Sequence, residues 1–452
     1  VARPPRAVFV TLLTAGVLAG LVTSAQAVPG ASQTAAGTTA APPVLAPAKT
    51  EGAAPTAAGV AKAVAAALAD PSLGKHHGVY VYDASRGKEL YSLGAAKPYV
   101  PASTMKLLTT VSALETLGPE HRFATKVVRS GNSIILVGGG DPLLVTKRQT
   151  DPLDFPTRAT LQDLAASTAK ALKADGVTSV TLGYDASLFT GPSANPKWEP
   201  NYLTEGIAAR TSALWVNEGR LSAGMAKRAD SPAAAAATAF AAQLAKVGIK
   251  ATGLKAAVAP AGAKALAQVD SPTLGDIVEY INLHSDNDGA EVLLRQVGLA
   301  TKNGGSYTGG VAGVRATLTK LGLDLTGARI EDGSGLSRTN QVPLEVLAGA
   351  VRVAASEDNP QLRHLLTGLP IAGFTGSLRE RFAGPGTATG TGMVRAKTGT
   401  LTGVHSLAGY ARDKSGTLLV FAVATDSAPP AKALDARAAL DRVTSALAAC
   451  GC

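Results

Sequence analysis

Three short stretches constrain this chain more than its composition does. Ser103-Thr104-Met105-Lys106 lies where an extended run turns helical, Ser285-Asp286-Asn287 follows 182 positions after Ser103, and Lys397-Thr398-Gly399 lies near the end. Positions three apart share a helix face, so Lys106 can raise its amine to the Ser103 hydroxyl. Pro101 suits a first helical turn, having no amide hydrogen to leave unpaired, and it sets Ser103 near the positive end of the helix dipole. Each stretch alone is common; in this order they specify a chemistry. A serine hydroxyl must shed its proton to attack an amide, and an ordinary lysine is already protonated at neutral pH. Burying Lys106 near a second cation, Lys397, disfavours the charged form and makes the amine a base. Ser285 is then placed to pass a proton to a leaving amine, and Asn287 to hold a backbone amide of the substrate. Lys397, Thr398, Gly399 and Thr400 on an edge strand offer a charge and hydroxyls to a substrate carboxylate. The backbone N–H groups of Ser103 and Thr400 are the expected oxyanion donors.

The N-terminal end sets the expected compartment. Arg3 and Arg6 precede an apolar run from Ala7 to about Thr23, followed by Ala25-Gln26-Ala27. Positive head, apolar middle and Ala-x-Ala end mark residues 1–27 as a cleaved secretory signal, with an uncleaved membrane anchor as the alternative. Valine at position 1 fits a non-ATG start codon translated literally. Residues 28–55, rich in Ala, Pro, Thr and Gly, read as a flexible linker. No later segment is long and apolar enough to span a bilayer, so the mature protein is expected outside the membrane, wall-associated or secreted. The formal charge of +10 is scattered, with no aromatic-interleaved basic patch. It points to solubility and anionic surfaces such as a bacterial wall, and away from nucleic acid. Cys450 and Cys452 are the only cysteines. Export would permit their oxidation, but so short a terminal loop can hardly brace a core, and no catalytic role falls to them.

Ordered structure is expected to begin with the helix of "AAGVAKAVAAALADPSLG", ended by Pro71 and Gly74. Val79, Val81, Leu90 and Ser92 alternate on either side of Ser85-Arg86-Gly87, a hairpin signal. The texture changes at about Thr125, where short strands and two helices alternate until about Gln268. Residues 125–268 read as an inserted α/β domain between two parts of a catalytic domain, 56–124 and 269–452. Gly138-Gly139-Gly140-Asp141-Pro142 lacks the Gly-Lys-Ser/Thr ending of a phosphate loop and reads as a tight turn. The chain is helical again through "LGDIVEYINLHSDNDGAEVLLRQVGLAT". It ends in three strands and a last helix whose apolar residues recur at helical spacing. The early hairpin and late strands make one antiparallel sheet faced by first and last helices, an α+β fold.

With these residues in hand, the chain resembles the low-molecular-mass class C penicillin-binding proteins, the D-alanyl-D-alanine carboxypeptidase/endopeptidase family of peptidase type S13. Beyond the three motifs, "LVGGGDPLL", "YDASLFTGP", "DGSGLSR" and "VRAKTGTLTGVHSLAGY" carry the likeness. The resemblance implies a β-lactamase/transpeptidase-like domain, a five-stranded antiparallel sheet with helices on both sides, interrupted by an insertion. It implies cleavage of peptidoglycan stem peptides ending in D-Ala-D-Ala through an acyl-enzyme on Ser103, with Lys106, Ser285, Asn287 and Lys397 catalytic. It also implies β-lactams as covalent inhibitors, and neither cofactor nor metal. Many members carry a further domain in the insertion. Here "TSALWVNEGRLSAG" runs almost directly into the alanine-rich helix, so that domain is expected to be missing.

Rival readings are weaker. A class A β-lactamase needs a deacylating carboxylate in a Glu-x-x-x-Asn loop, which neither "IEDGSGLSRTN" nor "PLEVL" supplies. A serine esterase on the same fold and a non-catalytic wall-binding protein remain as alternatives. No Gly-x-Ser-x-Gly elbow supports a Ser-His-Asp hydrolase, and no His-Glu-x-x-His supports a zinc peptidase among six scattered histidines. His284 reads as a surface or packing residue, and Asp332 and Ser334 as shaping a turn near the site. Asp185 is a candidate for recognising the stem-peptide side chain, with a turn carboxylate the plainer reading.

Overall fold

The computed structural model describes residues 53–151, 153–222 and 225–452; the expected signal segment and nearly all of the linker lie outside them. Helix α1 (Ala57–Leu68) is capped by Thr56, whose hydroxyl accepts the Gly59 N–H. Its Val60, Val64 and Leu68 share the buried face. β1 (His77–Asp83) and β2 (Lys88–Leu93) form the expected hairpin, and Asp83 holds the turn by accepting from the N–H groups of Ser85 and Arg86. β3 (Pro98–Tyr99) then leads through the Ser103 turn into α2 (Lys106–Leu117).

A second sheet follows before the chain returns to the site. It comprises β4 (Ala124–Ser130), β5 (Ser133–Val137), β6 (Ser179–Asp185), β7 (Lys250–Ala256) and β8 (Ala265–Asp270), in the order β7-β6-β5-β4-β8. The β5–β6 and β6–β7 pairs are parallel, as helical crossovers require. Helices α3 (Leu161–Ala174) and α4 (Pro232–Lys246) make those crossovers and bury Leu164, Leu172, Phe240 and Leu244 against Val127, Ile134 and Leu182. β8 returns antiparallel to β4, with Ala124 opposite Asp270, so the chain leaves this sheet where it entered. Not all of residues 125–268 stays with the second sheet. Leu143, Trp198, Tyr202 and Ala208 are buried in the same core as α2 and the helices after residue 270.

Helices α5 (Leu274–His284) and α6 (Asn287–Ala300) carry the second motif between them. α7 (Tyr307–Lys320), β9 (Val342–Pro343, paired with β3), α8 (Leu344–Ala355) and the single turn α9 (His364–Thr367) complete the helical side. The chain closes with β10 (Val394–Leu401), β11 (Val404–Arg412), β12 (Leu418–Thr425) and α10 (Ala433–Ala448). The principal sheet has the order β10-β11-β12-β1-β2, antiparallel throughout. Alternation along β12 divides its two faces. Leu419, Phe421 and Val423 pack on α1 and α10, whereas Val420, Ala422 and Ala424 join the core built by α2, α5, α6, α7 and α8. The fold is thus α+β, with helices on both sides of five antiparallel strands. No helix among the described residues is long and apolar enough to cross a membrane. Cys450 and Cys452 are disulfide-bonded, and the Cys452 carbonyl accepts from the Thr56 N–H and hydroxyl, fastening this end to the start of α1.

Candidate active site

The Ser103 turn is a 3-10 segment, Ala102–Met105, running into α2. Ala102 has φ of 47°, a conformation that costs a non-glycine residue energy and so needs support from its surroundings. The hydroxyls of Thr104 and Ser406 both donate to the Pro101 carbonyl, at 2.7 and 2.8 Å. Gly335 and Gly399 let their backbones press against this turn. A Cβ at Gly399 would overlap the Ser406 hydroxyl and lie 2.5 Å from the Pro101 oxygen. Gly399 therefore permits β10 to lie beside the nucleophile's turn. Gly399→Ala is expected to push the strand off Ser103 and slow acylation by about a hundredfold, the usual penalty for a displacement near 1 Å; stopped-flow acylation kinetics measure it.

Lys106 is fully buried and reaches three oxygens. Its Nζ lies 2.9 Å from Ser103 Oγ, 2.8 Å from Asn287 Oδ1 and 2.8 Å from the Ser334 carbonyl. In a neutral amine, two N–H bonds satisfy Asn287 and Ser334, and the lone pair then faces the Ser103 hydroxyl. Burial lowers the Lys106 pKa to about 8, against the opposing pull of the Asp286, Glu291, Asp332 and Asp288 carboxylates. Of the two causes expected, burial and a second cation, burial is the one that lowers Lys106. The repulsion is felt at Lys397, which burial and then the Lys106 charge hold well below the usual lysine range. Lys397 Nζ donates to Ser285 Oγ at 2.8 Å and to the Thr398 carbonyl at 2.9 Å. Each motif serine thus has its own buried lysine.

The second motif is a helix break. Ser285 adopts the left-handed region, φ 57°, ending α5, and Asp286 caps α6 by accepting the Asp288 N–H at 3.0 Å. That break places Ser285 toward Lys397 and Asn287 toward Lys106. Asn287 Nδ2 donates to the Ile207 carbonyl at 3.1 Å, which leaves Oδ1 for the lysine. Asp288 accepts the Ala209 N–H at 2.7 Å and pairs with Arg228 at 2.7 Å, tying both residues to the motif. On β10, the Thr398 hydroxyl meets Ser377 Oγ at 2.7 Å, and Thr400 is exposed in the register position opposite His405.

Several surrounding residues behave as their sequence context implied. Asp332 accepts from the N–H groups of Gly335 and Ser337, from Asn340 Nδ2 and from Trp198 Nε1, so it shapes its turn. Ser334 meets Lys106 through its carbonyl. Asp185 accepts the N–H groups of Ser187 and Ala259, both at 2.8 Å, as a turn carboxylate of the second sheet. His284 is exposed and packs on Tyr280 with ring centroids 4.5 Å apart. The Gly139 and Gly140 carbonyls accept from Gln296 Nε2, and the expected turn falls just after them at Pro142–Leu143, where Asp141 accepts the Leu143 N–H at 2.8 Å. Sequence reasoning passed over Glu291, Arg228 and Ser377. A glutamate inside the apolar run "AEVLLRQV", four residues after Asn287, was the signal available for the first of them.

A paired Ser–Lys, Ser-Asp-Asn and Lys-Thr-Gly set at the edge of such a sheet defines a class: serine acyl-transfer enzymes of the penicillin-binding type. A family model described as "D-Ala-D-Ala carboxypeptidase 3 (S13) family" matches residues 60–230 and 222–447. A carboxypeptidase of Mycobacterium tuberculosis is 37% identical over 406 residues, covering 88% of this chain and 85% of its own. The D-alanyl-D-alanine carboxypeptidase of an Actinomadura species is 30% identical over 439 residues, covering 81% of each. Among solved structures, penicillin binding protein 4 of Haemophilus influenzae is similar with a TM-score of 0.68 at 21% identity, over 84% of this chain and 97% of that one. The same protein complexed with a novel β-lactam is similar with a TM-score of 0.61 at 21% identity, over 83% and 98%. The chain belongs to the S13 D-Ala-D-Ala carboxypeptidase family, and its enzymatic class is that of a serine-type D-Ala-D-Ala carboxypeptidase.

Proposed function

We propose that this chain removes the terminal D-alanine from peptidoglycan stem peptides, outside the cytoplasmic membrane, through an ester on Ser103. The observation that carries this reading is the buried Lys106 amine, whose other two partners leave its remaining direction on Ser103 Oγ. Neutral Lys106 takes the hydroxyl proton as Oγ adds to the penultimate D-alanyl carbonyl. The oxyanion lies against the Ser103 and Thr400 N–H groups. Thr398, Thr400 and Lys397 hold the terminal carboxylate, with Gly399 giving the strand its close approach. Ser285, in contact with Lys397, gives its hydroxyl proton to the departing amine and is replenished by the proton that Lys106 took, the C–N bond breaks, and D-alanine leaves. Water then hydrolyses the ester and restores Ser103. A cross-linked peptide differs only in its leaving amine, so the same acylation serves endopeptidase cleavage. Export is assigned to residues 1–27, on their charge and apolar pattern.

Penicillin tests this reading. Its strained amide sits next to a carboxylate, as the scissile amide of D-alanyl-D-alanine does, but its leaving nitrogen stays tethered and obstructs the hydrolytic water. Intact-mass analysis should show one adduct, mapped to Ser103 and missing from Ser103→Ala. Fast multiple turnover would favour a β-lactamase. Absence of both adduct and D-alanine release from a D-alanyl-D-alanine peptide would leave a wall-binding protein. The β-lactam seen in the Haemophilus protein of similar fold supports the choice of probe.

A further inference from the structure

Glu291 is a fully buried carboxylate that the steps above leave unused. It lies on α6 four residues after Asn287, so both side chains project from one helix face. Its oxygens accept the Ser334 N–H at 2.8 Å and the Gly333 N–H at 3.1 and 3.2 Å. Ser334, held by its N–H, turns the carbonyl of the next peptide unit toward Lys106, from which it accepts. A second tie comes from α2, where Thr109 Oγ1 donates to the Gly333 carbonyl at 2.8 Å. Gly333 is needed for this approach, since a Cβ there would lie 2.7 Å from the Ala290 carbonyl oxygen. α6 therefore holds Lys106 twice, directly through Asn287 and indirectly through Glu291.

We propose that Glu291 is a positioning residue for Lys106: it clamps the Gly333–Ser334 peptide so that the Ser334 carbonyl fixes one amine proton and the lone pair faces Ser103. A glutamine would hold two N–H groups as well as a carboxylate does, and burying a charge is costly. What the carboxyl group adds is a negative charge that forms over the same pH range in which Lys106 loses its own, and that holds the lysine proton as it forms. Burial and the neighbouring Asp332 push the Glu291 pKa up to about 8, beside that of Lys106. Glu291 is faced by Lys106 from α2, Asp332 from its loop and Tyr307 from α7. On its own helix Asp288 lies three residues before and Arg295 four after. Lys106 is faced in addition by Asp286 and by Lys397.

The inference rests on Lys106 being the base for Ser103, so two readouts are used. Lys106 titration is followed by 13C NMR of labelled lysine side chains, which needs no turnover. Acylation of Ser103 by benzylpenicillin is followed against pH. Glu291→Gln keeps an oxygen for both N–H groups and removes the titratable charge; the Lys106 midpoint and the acid limb should both move to lower pH, by about half a pH unit or more. Glu291→Asp keeps the charge and withdraws the clamp; its limb should stay near the wild-type position while the plateau acylation rate falls tenfold or more. An unmoved midpoint in Glu291→Gln overturns the charge role of Glu291, and a wild-type plateau in Glu291→Asp overturns its clamp on Lys106. A wild type that forms no adduct overturns the Ser103 reading instead. Should Glu291→Gln fail to fold, Glu291→Asp decides: a wild-type plateau there overturns the clamp.

Discussion

Arginine in place of Lys106 is expected to slow acylation of Ser103 by about three orders of magnitude or more, close to the loss in Ser103→Ala. The substitution keeps a cation and removes any accessible neutral form. The planar fork would also have to fit a fully buried site whose three oxygen partners suit one tetrahedral nitrogen. The pH dependence follows with its sign. A lysine lowered to about 8 is mostly charged below that pH and mostly neutral above it. Wild-type acylation should therefore climb as pH rises through about 8, and the arginine variant should show no such limb. Stopped-flow measurement with a fluorescent penicillin reads both effects. Near-normal acylation by Lys106→Arg would remove the base assignment.

Asp332→Ala is expected to cost more stability than any other single change near the site. The carboxylate is fully buried and accepts from four donors: two backbone N–H groups, the Asn340 amide and the Trp198 indole. Alanine would orphan a donor at each of the four, and a buried donor left without an acceptor costs about 1–3 kcal/mol. The melting temperature should fall by several degrees or more in scanning calorimetry. Acylation should fall as well, because the same turn presents the Ser334 carbonyl to Lys106. Asp332→Asn, which keeps one acceptor oxygen, should lie between. A melting curve unchanged from wild type would show that the loop is held by other contacts.

The parts of this molecule that were legible in its sequence are those fixed by local periodicity. The Ser103–Lys106 contact follows from helical spacing, and the β1–β2 hairpin from alternation about a turn. The helix break at Ser285 was not legible. Apolar periodicity runs on from Ile281 into Val292, and no glycine or proline marks the left-handed residue. The partnership of Asp288 with Arg228, 60 positions apart, was hidden for a different reason, since it depends on tertiary packing against α6 that no local pattern carries. Nor did the alternation in "ALAQVD" announce β8, a short, half-exposed strand whose position is set by pairing with β4. Ser377 was invisible because its only tie to the site is one hydroxyl on Thr398.

β10 lies at the end of the sheet order, and its outer side is used unequally. Residues Pro370–Ala372 cover it as far as Ala396, through the Ala396 N–H to Pro370 carbonyl bond and the Ala372 N–H to Val394 carbonyl bond. From Lys397 to Leu401 no strand pairs with that side among the described residues. An uncovered edge of about five residues invites an extended guest to dock as an additional ribbon, amide to carbonyl. Such docking reads the guest's handedness and polarity, because every residue type offers the same main-chain groups. Discrimination by side-chain identity then has little purchase along the ribbon itself. On the function proposed above, what the edge asks of a guest is alignment, with its last amide bond level with Ser103 and its free end level with Thr398 and Thr400.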